Sequence, residues 1–116
     1  MDKYELKKRT KLFAHRCVIF ASSLPKNKLG AHFEGQLMRC ITSAAVNYRA
    51  VLTAHSKPAF AAKLSVVLEE SDEFDFWIEF ALDEGLTTPE IAQPLMKEAK
   101  ELSAIFISSR KKIQTR

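Results

Sequence analysis

Apolar residues recur every three or four positions along four long segments of this chain, and only three short breaks interrupt them. An α-helix turns once in about 3.6 residues, so that spacing gathers each apolar set on one side of a helix. The first segment, about Lys3 to Ser23, carries Leu6, Thr10, Phe13, Cys17 and Phe20, with Leu24 just beyond and Asp2 placed to cap its start. It stops at SLPKNKLG, where Pro25 lacks a backbone donor and Asn27 and Gly30 suit a turn. The second, about Ala31 to Ala54, carries Phe33, Leu37, Cys40, Ile41, Ala44, Tyr48 and Leu52. The third begins after Ser56, tolerates Pro58 in its first turn, and runs through Phe60, Leu64, Val67, Phe74 and Ile78 to a stop at Gly85.

In the fourth segment, Pro94 sits several residues beyond the Thr88-Pro89 start. A proline there removes a backbone hydrogen bond and crowds the preceding turn. A brief turn near 89–92 is therefore expected, with the main helix from about Pro94 to Lys112. Short connections force consecutive helices to run antiparallel. The expected fold is all-α: an up-down-up-down antiparallel four-helix bundle forming one domain over residues 1–116.

Several classes of function find no support. No apolar run approaches the ~20 residues needed to cross a bilayer. The charged start MDKYELKKRTK lacks an apolar segment of signal-peptide type, so a soluble, cytoplasmic protein with no membrane partner is expected. Cys17 and Cys40 fall on apolar stripes and read as small core residues rather than zinc ligands. His15, His32 and His55 lie on different elements at no metal-ligand or triad spacing. Glu69, Glu70, Asp72 and Glu73 form an acidic cluster, but the Glu-x-x-His repeats that accompany such carboxylates in di-iron bundles do not occur. Neither a Gly-rich phosphate loop nor a nucleophile elbow is present. The expectation is a non-enzyme with no catalytic residue, metal or cofactor.

Charge is distributed unevenly. The total is +4, yet residues 1–49 hold ten Lys or Arg against three Asp or Glu, a net of +7. Residues 50–80 hold two against six, a net of −4. Lys7, Lys8, Arg9, Lys11 and Arg16 start the chain, and Arg110, Lys111, Lys112 and Arg116 end it. In an up-down bundle the start of the first helix and the end of the last lie at the same end. The two clusters should then merge into one basic patch able to contact phosphates. A merely solvated end is the alternative.

The stretch QLMRCITSAAVNYRA, residues 36–50, sets polar groups among small and apolar ones. In a hairpin of the second and third helices centred near residue 55.5, Arg39 faces the level of position 72, within a turn of Glu70 and Glu73. A structural polar network of Arg39, Asn47, Arg49, Glu70 and Glu73 follows, with Asn47 facing Lys63 and Leu64. If that bridge is buried, Arg39→Ala should cost about 2–5 kcal/mol. The third helix also has more rings than one face can hide: Phe76, Trp77 and Phe80 are interleaved with Asp75 and Glu79. Such a patch suggests an oligomer interface.

The runs RCITSAAVNYRA, SKPAFAAKLSVVLEESDEFDFWIEFA and LMKEAKELSAIFISSRKKI resemble the small four-helix-bundle family encoded in intervening sequences of bacterial 23S ribosomal RNA genes. That family is related to the accessory variability protein of diversity-generating retroelements. The matching positions include Leu24-Pro25, Gln36-Leu37, Arg39, Thr42-Ser43, Asn47-Tyr48-Arg49, Phe60, Lys63-Leu64, Glu70, Glu73, Trp77, Glu98 and Glu101-Leu102, across nearly the whole chain. Ala50 and Ala59 depart from it where acidic residues are common. The resemblance implies a homopentameric ring with a basic surface. Its retroelement relatives are non-enzymatic partners of nucleic acid and a reverse transcriptase. Two functions are open at this point: an oligomeric RNA-binding accessory protein, or an adaptor docking on a reverse transcriptase or ribosomal partner with little RNA affinity of its own.

Overall fold

The computed structural model describes residues 2–114, and Arg116, assigned above to the basic end, lies outside them. Four helices follow one another: α1 (Lys3–Ser22), α2 (Lys28–Val51), α3 (Lys57–Asp83) and α4 (Pro89–Gln114). No strand occurs among the described residues. Three of the helix starts are set by side-chain caps. Asp2 accepts from the backbone N–H groups of Tyr4 and Glu5, Asn27 from Gly30 and Ser56 from Ala59, each satisfying a donor that the first turn leaves open.

Two glycines are tied to particular turns. Gly30 lies so close to the Pro25 carbonyl that a Cβ there would sit 1.9 Å from its oxygen, so only glycine lets the α1–α2 connection turn this tightly. Gly85 has φ +71°, the left-handed conformation that ends α3.

The segmentation read from the apolar stripes agrees with these helices except at their edges and in α4. α2 starts at Lys28 rather than near Ala31 because Asn27 supplies the cap, and it ends at Val51. The expected break in α4 does not exist: Pro94 lies inside one continuous helix. It falls in the second turn, so the missing N–H forfeits one bond, to the carbonyl of the exposed Glu90. Ala92 and Leu95, buried on either side of it, hold the first turns in line with the rest.

Each of α1 and α3 packs against both α2 and α4, so α1 and α3 stand on one diagonal of the bundle. Phe13 reaches Phe74 through the centre, ring centroids 5.8 Å apart and edge to face. A single core draws on all four helices, with Phe74, Phe106, Leu37, Leu64 and Ile78 among its most enclosed side chains. Asp2, Lys3 and Leu6 gather with Val51, Leu52, Phe60, Leu64, Ile105 and Ser109. The start of α1, the end of α2, the start of α3 and the end of α4 therefore share one end, as an up-down-up-down path requires. Both cysteines are free and buried. Burial pushes the Cys17 thiol up, and it raises Cys40 as well, against the opposing pull of Arg39. Neither is disposed to act as a thiolate.

Candidate nucleic-acid interface

Apart from Arg16, which lies past the middle of α1, the basic residues do share one end, but they do not form one patch. Lys7 and Lys11 lie one turn apart on the side of α1 that meets α2, where they line a shallow groove with Thr10, Ala45, Val46 and Arg49. Arg49, expected in the polar network with Arg39, stands beside these two lysines instead. Lys8 points outward and is exposed.

Arg9 turns the other way, toward α4, and leaves the basic set. Its Nε donates to Glu98 Oε2 at 2.8 Å and its Nη2 to Glu98 Oε1 at 2.6 Å, a bidentate fork. The same Nη2 reaches Glu101 Oε2 at 2.9 Å. Hydrogen bonding from Arg9 is the chief cause that holds the Glu98 carboxyl below its ordinary value, and the bond to Glu98 raises the guanidinium in turn. Arg16 is exposed and adds a smaller downward pull on Glu98. With two carboxylates on it, Arg9 is a clasp between α1 and α4.

At the other terminus, Arg110 leans across to α3, where its Nη1 donates to Ser65 Oγ at 3.3 Å. Lys111 and Lys112 border a shallow depression of α4 with Ala104, Ile107 and Ser108. The α1–α2 groove and the α3–α4 seam are on opposite sides of the bundle. Exposed cations therefore occupy two flanks of this end.

Across α2 and α3 the structure brings Arg39 to both carboxylates of the hairpin reading. Its Nη1 lies 3.4 Å from Glu70 Oε2, its Nη2 pairs with Glu73, and its Nε donates to Gln36 Oε1 at 3.3 Å. The cluster is not buried, however: the Arg39 side chain is 49% exposed and that of Glu73 39%. The expected cost of 2–5 kcal/mol for losing it falls accordingly. Asn47 does not reach across to Lys63 and Leu64; its amide donates to the Ser43 carbonyl, one turn back on its own helix, at 2.9 Å. Cys40 Sγ lies 2.8 Å from the Gln36 carbonyl oxygen and 3.1 Å from Glu73 Oε2, and one ion could touch Cys40, Glu70 and Glu73 together. The Arg39 guanidinium already supplies positive charge to both of those carboxylates.

The aromatic triplet of α3 divides. Trp77 is packed inward, its ring centroid 5.3 Å from Phe33 and 5.7 Å from His32. Phe76 and Phe80 remain 52% and 38% exposed. Sequence reasoning missed the Arg9 clasp. Its one signal was a pair of acids, Glu98 and Glu101, on one face of α4 with no assigned partner.

The profile of the 23S rRNA-intervening sequence proteins matches residues 2–108. The chain belongs to that family. The resemblance drawn from Arg39, the Asn47-Tyr48-Arg49 run and the acids of α3 and α4 is borne out at that level. Among solved structures, the chain is similar to a protein of unknown function from the S23 ribosomal protein family of Bacteroides thetaiotaomicron. The two share 27% identity with a TM-score of 0.84, over 91% of this chain and 98% of that one. No curated protein matches the chain. The fold is thus shared over nearly the whole of both chains, while the family description names an intervening sequence of 23S rRNA and no reaction. No helix of the described residues is long and apolar enough to cross a membrane.

Proposed function

We propose that this chain is a non-enzymatic accessory protein that binds RNA through the basic flanks of one bundle end and does so as an oligomer. The observation that carries the reading is the groove of Lys7, Lys11 and Arg49, three cations drawn from two helices onto one surface. Lys111 and Lys112 extend positive charge to the other flank. Groups spaced along a groove suit successive phosphates and carry no sequence preference. The family's tie to 23S ribosomal RNA makes structured RNA the natural ligand class. The resemblance to ring-forming relatives supplies the copy number, a homopentamer, and Phe76 and Phe80 are the exposed rings such an assembly would cover. A ring multiplies a weak patch into a multivalent one, so avidity grows without new contacts.

The test is binding of a structured RNA duplex at two salt concentrations. If about three phosphates are contacted per subunit, affinity falls roughly 20–40-fold between about 50 and 200 mM salt, because condensed counterions are released on binding. Lys7→Ala, Lys11→Ala and Arg49→Ala together should abolish binding while helicity is kept. Unchanged RNA affinity in that triple variant refutes the reading.

A second reading rests on one observation. The outward face of α3 sets Phe76 and Phe80 among Glu69, Asp72, Glu79 and Asp83, a surface that repels phosphate and favours a protein. A cytoplasmic adaptor docking a reverse transcriptase or ribosomal protein through that face would bind its partner with the triple variant as well as with wild type.

A further inference from the structure

Two outward faces remain on opposite corners of the bundle, and their charges are opposite. The outer stripe of α1 is Lys8, Lys11, Leu12, His15 and Ile19, every one exposed, with Ile19 the most exposed large apolar residue at 71%. The outer stripe of α3 is Glu69, Asp72, Phe76, Phe80 and Asp83, also exposed. Residues three and four apart share a helix face, so each set is a continuous ridge. Basic residues occupy the first half of the α1 ridge and apolar ones the second. The α3 ridge is acidic first and aromatic later, with one more acid, Asp83, at its far end.

The two ridges are also in step. α1 and α3 both run away from the end where Leu6 meets Phe60 and Leu64, so they are parallel. Phe13 touches Phe74, 61 positions further along the chain, which fixes their relative height. Both helices rise about 1.5 Å per residue, so that offset holds along their length. It puts Lys8 level with Glu69, Lys11 with Asp72, His15 with Phe76 and Ile19 with Phe80. Each cation stands at the height of an acid, and each exposed ring at the height of an apolar or imidazole side chain.

We propose that the α1 ridge of one copy docks on the α3 ridge of a second copy, side by side and without axial shift. This rests on the reading that the protein self-associates and names the surfaces that do it. The partner is a second copy because the two ridges complement each other in charge order and in level. Since they lie on one diagonal, every copy can hold a neighbour on each side. The contact is head-to-tail, and such contacts close into rings or run on as open chains, never stopping at a symmetric dimer. Lys8 is thereby assigned to the contact between copies and Lys7 and Arg49 to the groove for phosphate, while Lys11 stands on the rim shared by the ridge and the groove.

The experiment is charge exchange, read as solution mass by light scattering at micromolar concentration. One variant carries Lys8→Glu and His15→Glu; the other carries Glu69→Lys and Phe76→Lys. All four positions are exposed, and circular dichroism checks that helicity is kept. Each variant alone sets like charges, or a charge against a ring, at matched levels, and its mass should fall to the 13.1 kDa of one chain. All four changes in one chain create two opposite-charge pairs at the same levels and should restore the wild-type mass. If wild type is already a 13.1 kDa monomer, self-association itself fails and this pairing with it. If wild type assembles and neither variant alters its mass, other surfaces hold the copies together. If both variants dissociate and the fourfold variant stays monomeric, the two ridges do not face each other. Either of these last results overturns the pairing and leaves self-association standing.

Discussion

Two arginines tie helices together across this bundle, and they do so in different surroundings. Arg9 joins α1 to α4 through a bidentate fork to Glu98 with a third bond to Glu101. Its side chain is 26% exposed and that of Glu98 16%. Arg39 joins α2 to α3 through longer or single contacts, with half its side chain in water. The seams differ as well. α2 and α3 have the most extensive contact in the molecule, whereas α1 and α4 have the sparsest of the neighbouring pairs. A polar clasp matters most where apolar packing is thin and solvent is partly excluded, because the Coulomb attraction is less screened there and fewer other contacts hold the seam. The lesson is one of placement: the ion pair between elements with little shared core is the one expected to carry stability.

The core sets the scale for that comparison. Phe74 is fully buried and its ring meets Phe13 from the opposite helix. Phe74→Ala should cost about 3–5 kcal/mol in urea unfolding, from lost burial and the cavity left behind. A smaller loss than that of either arginine variant would mean that the polar clasps, not the core, dominate.

Next in size is Arg9→Ala. It leaves the Glu98 carboxylate, largely withdrawn from water, without its fork, and bonds to charged groups are worth about 1.5–3 kcal/mol. A loss near 2 kcal/mol is expected, with hydrogen exchange rising first in α1 and α4. Equal losses for Arg9→Ala and Arg39→Ala would erase the distinction between the seams.

How much of this could be read in advance depended on chain connectivity. Arg39 could be paired with Glu70 and Glu73 because α2 and α3 are consecutive, so the position of one turn fixes which levels meet. Arg9 and Glu98 are 89 residues apart, and no local pattern sets the rotation of α1 against α4. Only closure of the whole bundle does that. For the same reason Arg9 was counted among the phosphate-facing cations: a basic residue beside Lys7 and Lys8 looks like them until the helix faces are assigned. Periodicity separates core from surface, but it does not grade the boundary, and Arg39 lies on that boundary. The proline in α4 misled in a different way. Its local cost is real, yet buried Ala92 and Leu95 on both sides outweigh it.

Acid sharpens the contrast further. The Glu98 carboxyl is held below its ordinary value, so folding favours its charged form. The stability this contributes is full above the ordinary glutamate range near pH 4.3 and is lost as pH falls through the lower folded-state value. Arg9 stays charged throughout. Glu98→Gln keeps one acceptor for the guanidinium and loses the charge, so it should cost less than Arg9→Ala at neutral pH. Its stability curve should converge with that of wild type in acid. Parallel curves down to the lowest pH would show that the carboxylate draws no stability from the clasp.

The smallest expected effect belongs to Arg39→Ala. Its guanidinium is half in water, and pairs in that setting contribute about 0–1 kcal/mol, offset by the entropy of holding a long side chain. The loss should therefore stay below about 1 kcal/mol. Much of it should vanish in high salt, because exposed charges are screened within about 10 Å at 0.1 M ionic strength. Two features could push it higher. Glu70 is only 21% exposed, and Cys40 Sγ lies 3.1 Å from Glu73, so removing the cation leaves two carboxylates close together beside a buried thiol. If that repulsion dominates, the loss will exceed 1 kcal/mol and persist in salt. The Arg39→Ala, Glu70→Gln double variant would then recover part of it, since it removes one of the opposed charges. Recovery would place the strain in the acid pair, whereas no recovery and a salt-sensitive loss would leave Arg39 as a surface tether on a seam that apolar packing already holds.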